Sequence, residues 1–183
     1  YREASIHPIR CLGGESIKTG GIEFCSFKFG DFRYELYAPS SSYRTRVFRR
    51  KLIKNADGIV FIVPADVDYF ESASSYLLEV KTIVMEKCDE SLKEVPVLYA
   101  IEGSSGMNIY EVSDILNIGS DEAVFVLDID DAGSIRGLFG KITTLAMLRR
   151  IDPKKYFWEL ERIVAESRKP IGPPEVSEKP AVG

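Results

Sequence analysis

The residues of this chain that could do chemistry are few and scattered. Ser40, Ser41 and Ser42 offer three adjacent hydroxyls, but a serine nucleophile needs a base and a strained turn of the GxSxG kind, and neither frames them. Asp128, Asp130 and Asp131 supply the oxygen ligands that a divalent cation prefers. They read equally as a strand-to-helix loop in which Asp130 or Asp131 caps the following helix. Gly140-Lys141 resembles the end of a phosphate-binding loop, yet Ile142 stands where Ser or Thr is needed and no glycine occupies the required place upstream. The pair also falls inside a helical pattern. His7 has no triad partner at a recognisable spacing. Cys11, Cys25 and Cys88 form no CxxC pair, which argues against a zinc site or a disulfide framework. Cys25 and Cys88 fit packing positions. The densest charged feature is basic: Arg44, Arg46, Arg49, Arg50, Lys51 and Lys54, interleaved with Tyr43, Val47 and Phe48. Such a segment is either a solvated face or a contact surface, because aromatic and arginine side chains dominate interface hot spots.

Composition narrows the class. The 183 residues are 45% hydrophobic and 28% charged, enough for a core that needs no metal or disulfide staples. The net charge of -4 and pI near 5.2 exclude a protein whose affinity for nucleic acid comes from general phosphate neutralisation. The longest apolar run, residues 58–64, is too short to cross a bilayer. With an odd number of cysteines and no signal peptide, a reducing cytoplasm is expected, and hence a soluble protein. Glutamine is absent and asparagine is confined to Asn55, Asn108 and Asn117, a bias of thermophile proteins.

The elements that must position these residues follow from periodicity. Alternation over residues 21–29 and 32–36, broken at Gly30-Asp31, predicts a β-hairpin. The basic segment around residues 44–54 is a short amphipathic helix. Residues 58–63, 95–101 and 123–127 are apolar, β-branched runs, expected as buried parallel strands, the first of them mid-sheet. Helices are expected over residues 69–90, 108–116, 133–150 and 156–167. Strands alternating with helices imply a mostly parallel sheet covered on both faces. Residues 151–168 are read as an extra helical segment. The proline-rich stretch 169–183 reads as a disordered tail.

The order of elements and several strings resemble the Ras-like small GTPases, most closely the gliding-motility and polarity GTPases (MglA) with their Arf and Sar relatives. The carrying residues are Leu36-Tyr37-Ala38-Pro39-Ser40-Ser41-Ser42, against the family's LYTVPGQ; Arg50-Lys51-Leu52-Ile53, against RKLI; and Ala56-Asp57-Gly58-Ile59-Val60-Phe61-Ile62, against DGIVFV. The likeness extends over about residues 17–148. It implies an α/β three-layer sandwich: a Ras-like domain over residues 1–150, with a mostly parallel sheet and one antiparallel hairpin strand.

The nucleotide motifs implied by that resemblance are degraded. Ser41 stands at the γ-phosphate-sensing glycine and Ser42 at the water-orienting glutamine. Ile101-Glu102-Gly103-Ser104 replaces the guanine-reading NKxD, and a serine cannot make the bidentate carboxylate contact to the base. Asp128 to Asp131 bring carboxylates to the last base-contacting loop. Only Thr19 matches a nucleotide residue, the first-switch threonine of the magnesium shell. The family's first strand, phosphate loop and first helix would lie before Tyr1. The resemblance thus implies a pseudo-GTPase acting as an interaction or scaffold subunit, with no catalytic residue and no metal. Its partner, such as a Roadblock-fold regulator, would meet Tyr43, Arg46, Val47, Phe48 and Arg50. The alternative is an atypical GTPase that binds GTP or GDP with Mg2+ through an upstream phosphate loop. A flavodoxin-like domain is a third possibility, against which the antiparallel hairpin argues. If the chain is complete, residues 4–12, with Ile6, Ile9 and Leu12, are expected to be drawn into the core.

Overall fold

A computed structural model describes residues 15–19, 22–29, 31–40, 43–64, 67–87, 95–102 and 109–168. The expectations for residues 4–12, Cys88 and the 169–183 tail lie outside them. In chain order the elements are β1 (Glu15–Thr19), β2 (Ile22–Phe29), β3 (Phe32–Pro39), α1 (Arg46–Asn55), β4 (Ile59–Pro64), α2 (Phe70–Lys87), β5 (Val97–Glu102), α3 (Ile109–Ile115), β6 (Val124–Leu127), α4 (Ala132–Ile151) and α5 (Pro153–Ser167). Single 3-10 turns at Tyr43–Thr45 and Val67–Tyr69 lead into α1 and α2.

The hairpin β2-β3 forms as the alternation predicts. Its register places Phe24 opposite Tyr37 and Phe27 opposite Tyr34, with ring centroids 5.0 Å and 5.1 Å apart. Because residues 24 and 27 differ by an odd number, one aromatic pair sits on each face, and a one-residue slip would break both. Cys25 is buried at 8% exposure and unpaired in any disulfide. Residues 15–19, to which periodicity assigns no element, form β1, antiparallel to β2. With only five residues, that strand is too short for periodicity to separate it from a loop.

The apolar runs form a second, parallel sheet in the order β4-β5-β6. Helices cover both its faces. Val63, Tyr99, Ile101 and Val124 pack with Phe70, Leu77, Val112 and Leu116 of α2 and the α3 region. On the other face Leu98, Ala100 and Leu127 pack with Ile135, Leu138, Leu145, Tyr156 and Ile163 of α4 and α5. Burial on both sides is what continuous apolar strands require.

Two expectations are corrected. The described strands make two three-stranded sheets and not one mixed sheet. And β4, expected mid-sheet, pairs with β5 alone among the described strands, with Ile62 36% exposed. Hydrophobic patterning identifies a strand and its buried faces, but the identity of its neighbours is a long-range choice that patterning does not encode.

The helix ends obey local chemistry. Asp131 caps α4 by accepting from Gly133 N and Ser134 N at 2.8 and 3.0 Å. Asp152 caps α5 from the position before Pro153. After α3, Asn117 takes φ 52°. Ile118 N bonds Ser113 O at 2.9 Å and Asn117 N bonds Asp114 O at 3.1 Å, a Schellman closure. Gly58 lies tight against α4: a Cβ there would be 2.7 Å from Ile142 Cγ1.

The polar hub beside the α3 end is Glu122. Its carboxylate accepts from Tyr99 Oη at 2.6 Å, Lys81 Nζ at 2.7 Å and Gly119 N at 2.6 Å, joining β5, α2 and the turn before β6. Burial, and then the Glu122 hydrogen bond and charge, push the Tyr99 phenol well above its ordinary range. The folded state therefore holds this proton more tightly than the unfolded chain. The associated stability is fully present below about pH 10 and declines as pH rises beyond it. Between pH 10 and 11 the protein should lose about 1 kcal/mol more than Tyr99→Phe in urea titrations; parallel losses would show that the phenol is not coupled to folding. In the same assay at neutral pH, Gly58→Ala should cost about 1–3 kcal/mol by overpacking against Ile142.

Candidate functional site

The residues singled out for nucleotide chemistry fall at strand ends. Thr19 closes β1 opposite Ile22, whose partner on the other side is Pro39. Register thus brings Thr19 to the same end of the antiparallel sheet as Ser40. Ser41, Ser42, Gly103 and Ser104 lie outside the described residues. Glu102 ends β5, and the Asp128–Asp131 loop follows β6. That loop is occupied by its own backbone: Asp128 Oδ1 accepts from Asp130 N at 2.9 Å while Asp131 caps α4. Among the described residues no acidic, histidine or cysteine group is arranged to hold a metal ion. Gly140-Lys141 lies inside α4, where Lys141 Nζ meets Glu166 Oε1 at 2.9 Å and sits 5.6 Å from the Phe125 ring centroid. A lysine so placed is a strut between α4 and α5.

The basic segment forms α1, as its spacing predicts, and its charges divide into distinct roles. Arg49, expected on a solvated face, is buried at 7% exposure. Its guanidinium donates to Ser40 O at 2.9 Å and to Glu79 Oε2 at 2.7 Å, and lies 5.1 Å from the Tyr76 ring centroid. Thr45 Oγ1 donates to the same Ser40 carbonyl at 2.8 Å. Together these bonds fix the exit of β3 to the first turn of α1 and fix α1 to α2. A sequence signal existed: Arg49 precedes the buried Ile53 by four residues and therefore shares its face.

The remaining cations line the seam with α2. Arg46 Nε lies 3.5 Å from Glu79 Oε1, Arg50 bonds Glu86, and Lys54 Nζ lies 3.5 Å from Glu86 Oε2. The Arg50 hydrogen bond, with the Arg50 and Lys54 charges behind it, holds the Glu86 carboxyl below its usual range. Glu79 and Glu86 are seven residues apart, so they form one acidic stripe down α2 that α1 matches with cations. Below the seam, Ile53 packs with Val80, Ile83 and Val84.

Of the proposed contact residues, Arg46 and Arg50 are therefore engaged with α2, whereas Val47 and Phe48 point outward at 78% and 57% exposure. Tyr43 opens the 3-10 turn before α1. The two exposed apolar side chains differ by about 100° around the helix and crown the side of α1 away from the Ile53 core. This arrangement carries no nucleophile, base or metal ligand set among the described residues; what it offers is an apolar contact on a braced helix. Arg49→Met should remove about 3 kcal/mol of stability, because Glu79 loses its buried partner. Arg49→Met with Glu79→Leu should recover part of that loss in a double-mutant cycle. Additive effects in denaturant titrations would show that the buried pair is not coupled.

Comparison with known proteins returns no family model and no curated protein that matches this chain.

Proposed function

We propose that this chain is a Ras-like domain with degenerate nucleotide motifs, a pseudo-GTPase that serves as a protein-interaction subunit. The observation that carries the interaction is Val47 and Phe48, exposed on a helix whose arginines are already bound to α2. An apolar pair on a rigid, laterally charge-matched helix loses little conformational entropy on docking, which is how a hot spot gains affinity. The element order supports the Ras-like assignment: an antiparallel hairpin, then α1, then parallel β4-β5-β6 flanked by helices. The occupation of Asp128, Asp131 and Lys141 by caps and an ion pair fits a domain that has left nucleotide chemistry. A Roadblock-fold regulator is the partner suggested by analogy with the polarity GTPases.

One observation favours the alternative. β3 and β4 each pair on one side only among the described strands, and β4 is apolar throughout. A Ras-like sheet places its phosphate-loop strand between these two, so a nucleotide-binding protein with that strand upstream of the present sequence would join both sheets into one.

Titration of the full-length gene product with fluorescent GDP and GTP in the presence of Mg2+ separates the two. No saturable binding and no thermal shift are the expected results; micromolar or tighter binding would establish the nucleotide-binding alternative. For the interaction surface, Val47→Glu with Phe48→Glu should weaken capture of a Roadblock-fold partner by on the order of tenfold or more while leaving the melting temperature unchanged. Undiminished capture would place the contact elsewhere.

A further inference from the structure

The strongest feature outside that site is the corner where α4 turns into α5. Ile151 is 71% exposed, Phe157 52% and Trp158 73%, and Met147 adds 37% one turn earlier. These are not the spill of a disordered core. The inner face of the same helix is well packed, with Tyr156 at 3% and Ile163 at 0%, and Phe157 stands edge-on to Tyr156 with centroids 5.3 Å apart. A large apolar side chain is normally hidden when the fold has somewhere to put it, so several exposed within residues 147–158 mark a contact surface.

The charge around the corner identifies what it contacts. The chain as a whole carries -4, yet residues 142–158 hold four cations, Arg149, Arg150, Lys154 and Lys155, and one acid, Asp152. Asp152 accepts from Lys155 N at 3.2 Å, capping α5, and lies 3.7 Å from Lys155 Nζ. Of the acids bordering this stretch, Asp57 is bound by Arg150 and Glu159 by Arg162. Lys154 precedes Trp158 by four residues and so shares its outward face. Tryptophan, phenylalanine and isoleucine bordered by lysines are the side chains that settle at the boundary between headgroups and acyl chains, the rings in the interface and the ammonium groups among anionic headgroups. α4 and α5 run side by side, braced by Lys141 and Glu166, and only Asp152 separates them, so Ile151, Phe157 and Trp158 are exposed at the end of the pair where one helix turns into the other. A protein hot spot more often joins an anchor to a pocket, whereas a lipid interface takes exposed aromatic groups directly. No helix among the described residues is long and apolar enough to cross a membrane, so the contact is peripheral.

We propose that the α4–α5 corner docks this domain on an anionic lipid surface, with Ile151, Phe157 and Trp158 inserting at the interface and Lys154 and Lys155 pairing with headgroups. The site shares no residue with the α1 surface and does not depend on the Ras-like assignment.

Trp158 is the sole tryptophan of the chain, so intrinsic tryptophan fluorescence reads this corner and nothing else. The test adds vesicles of phosphatidylcholine, with or without about a third phosphatidylglycerol, to the intact protein and follows emission and cosedimentation. A blue shift and pelleting on the anionic vesicles alone, both reversed by raised salt, are expected. Lys154→Glu with Lys155→Glu should weaken that binding on the order of tenfold or more, and Phe157→Ser should weaken it with the charge intact; both substitutions are at exposed positions and their folding is checked by circular dichroism. No shift on anionic vesicles overturns the proposal, as does an equal shift on phosphatidylcholine alone. A blue shift that appears on concentrating the protein without lipid, with a dimer in sedimentation, also overturns it and assigns the corner to a second copy of the chain.

Discussion

β5 is the strand on which the described α/β region depends. Its residues alternate between two cores, with Tyr99 and Ile101 turned toward α2 and α3, and Leu98 and Ala100 turned toward α4 and α5. Each of these four is at most 4% exposed. The strand also supplies both hydrogen-bonded edges, to β4 on one side and β6 on the other. A chain segment that must satisfy two layers and two edges at once leaves little freedom for the elements around it. The helices can shift only by opening one core, and β4 and β6 can shift only by breaking ladder hydrogen bonds in a buried setting.

Polar groups extend this constraint outward. Tyr99 belongs to the α2/α3 core by its ring and to Glu122 by its hydroxyl. Through Glu122 the same residue is joined to Lys81 of α2 and to the turn that Arg168 grips through Gly119 O and Glu122 O. On the other flank Arg49 performs the corresponding service, linking β3, α1 and α2 through a guanidinium that is buried and fully engaged. In both cases a charged group, buried for Arg49 and part-buried for Glu122, is met by several fixed partners, which is the condition under which burial of charge is sustainable. Among the apolar side chains left exposed after this internal pairing are Val47 and Phe48 on α1 and Ile151, Phe157 and Trp158 between α4 and α5.

Several side chains that look chemical in isolation are consumed by architecture. The acids after β6 become a turn and a helix cap. Lys141 becomes a link to Glu166, and Arg46 and Arg50 are held by α2. Each is a case in which residue type alone suggests a ligand or partner, and a hydrogen bond or ion pair within the chain supplies one. Contact surfaces are therefore better sought where apolar groups are left exposed than where charges are dense, since exposed ion pairs add little and are easily satisfied within the chain.

Periodicity and cap chemistry are local, and they are where the sequence alone sufficed. The β2-β3 hairpin, the apolar runs of β4, β5 and β6, a cap on α4 from Asp130 or Asp131, Pro153 at the head of α5 and the amphipathic spacing of α1 all depend on residues within a turn or two of one another. What the sequence left undecided depends on distant partners. β1 exists because β2 offers it an edge, not because five residues favour a strand. β4 reads as a central strand but pairs on one side only among the described strands, because pairing is chosen by neighbours far along the chain. Arg49 reads as solvent-facing until Glu79, thirty residues later, is folded against it. The exposure of Val47, Phe48 and Trp158 is likewise a tertiary result: an apolar residue buries itself only if another element arrives to cover it.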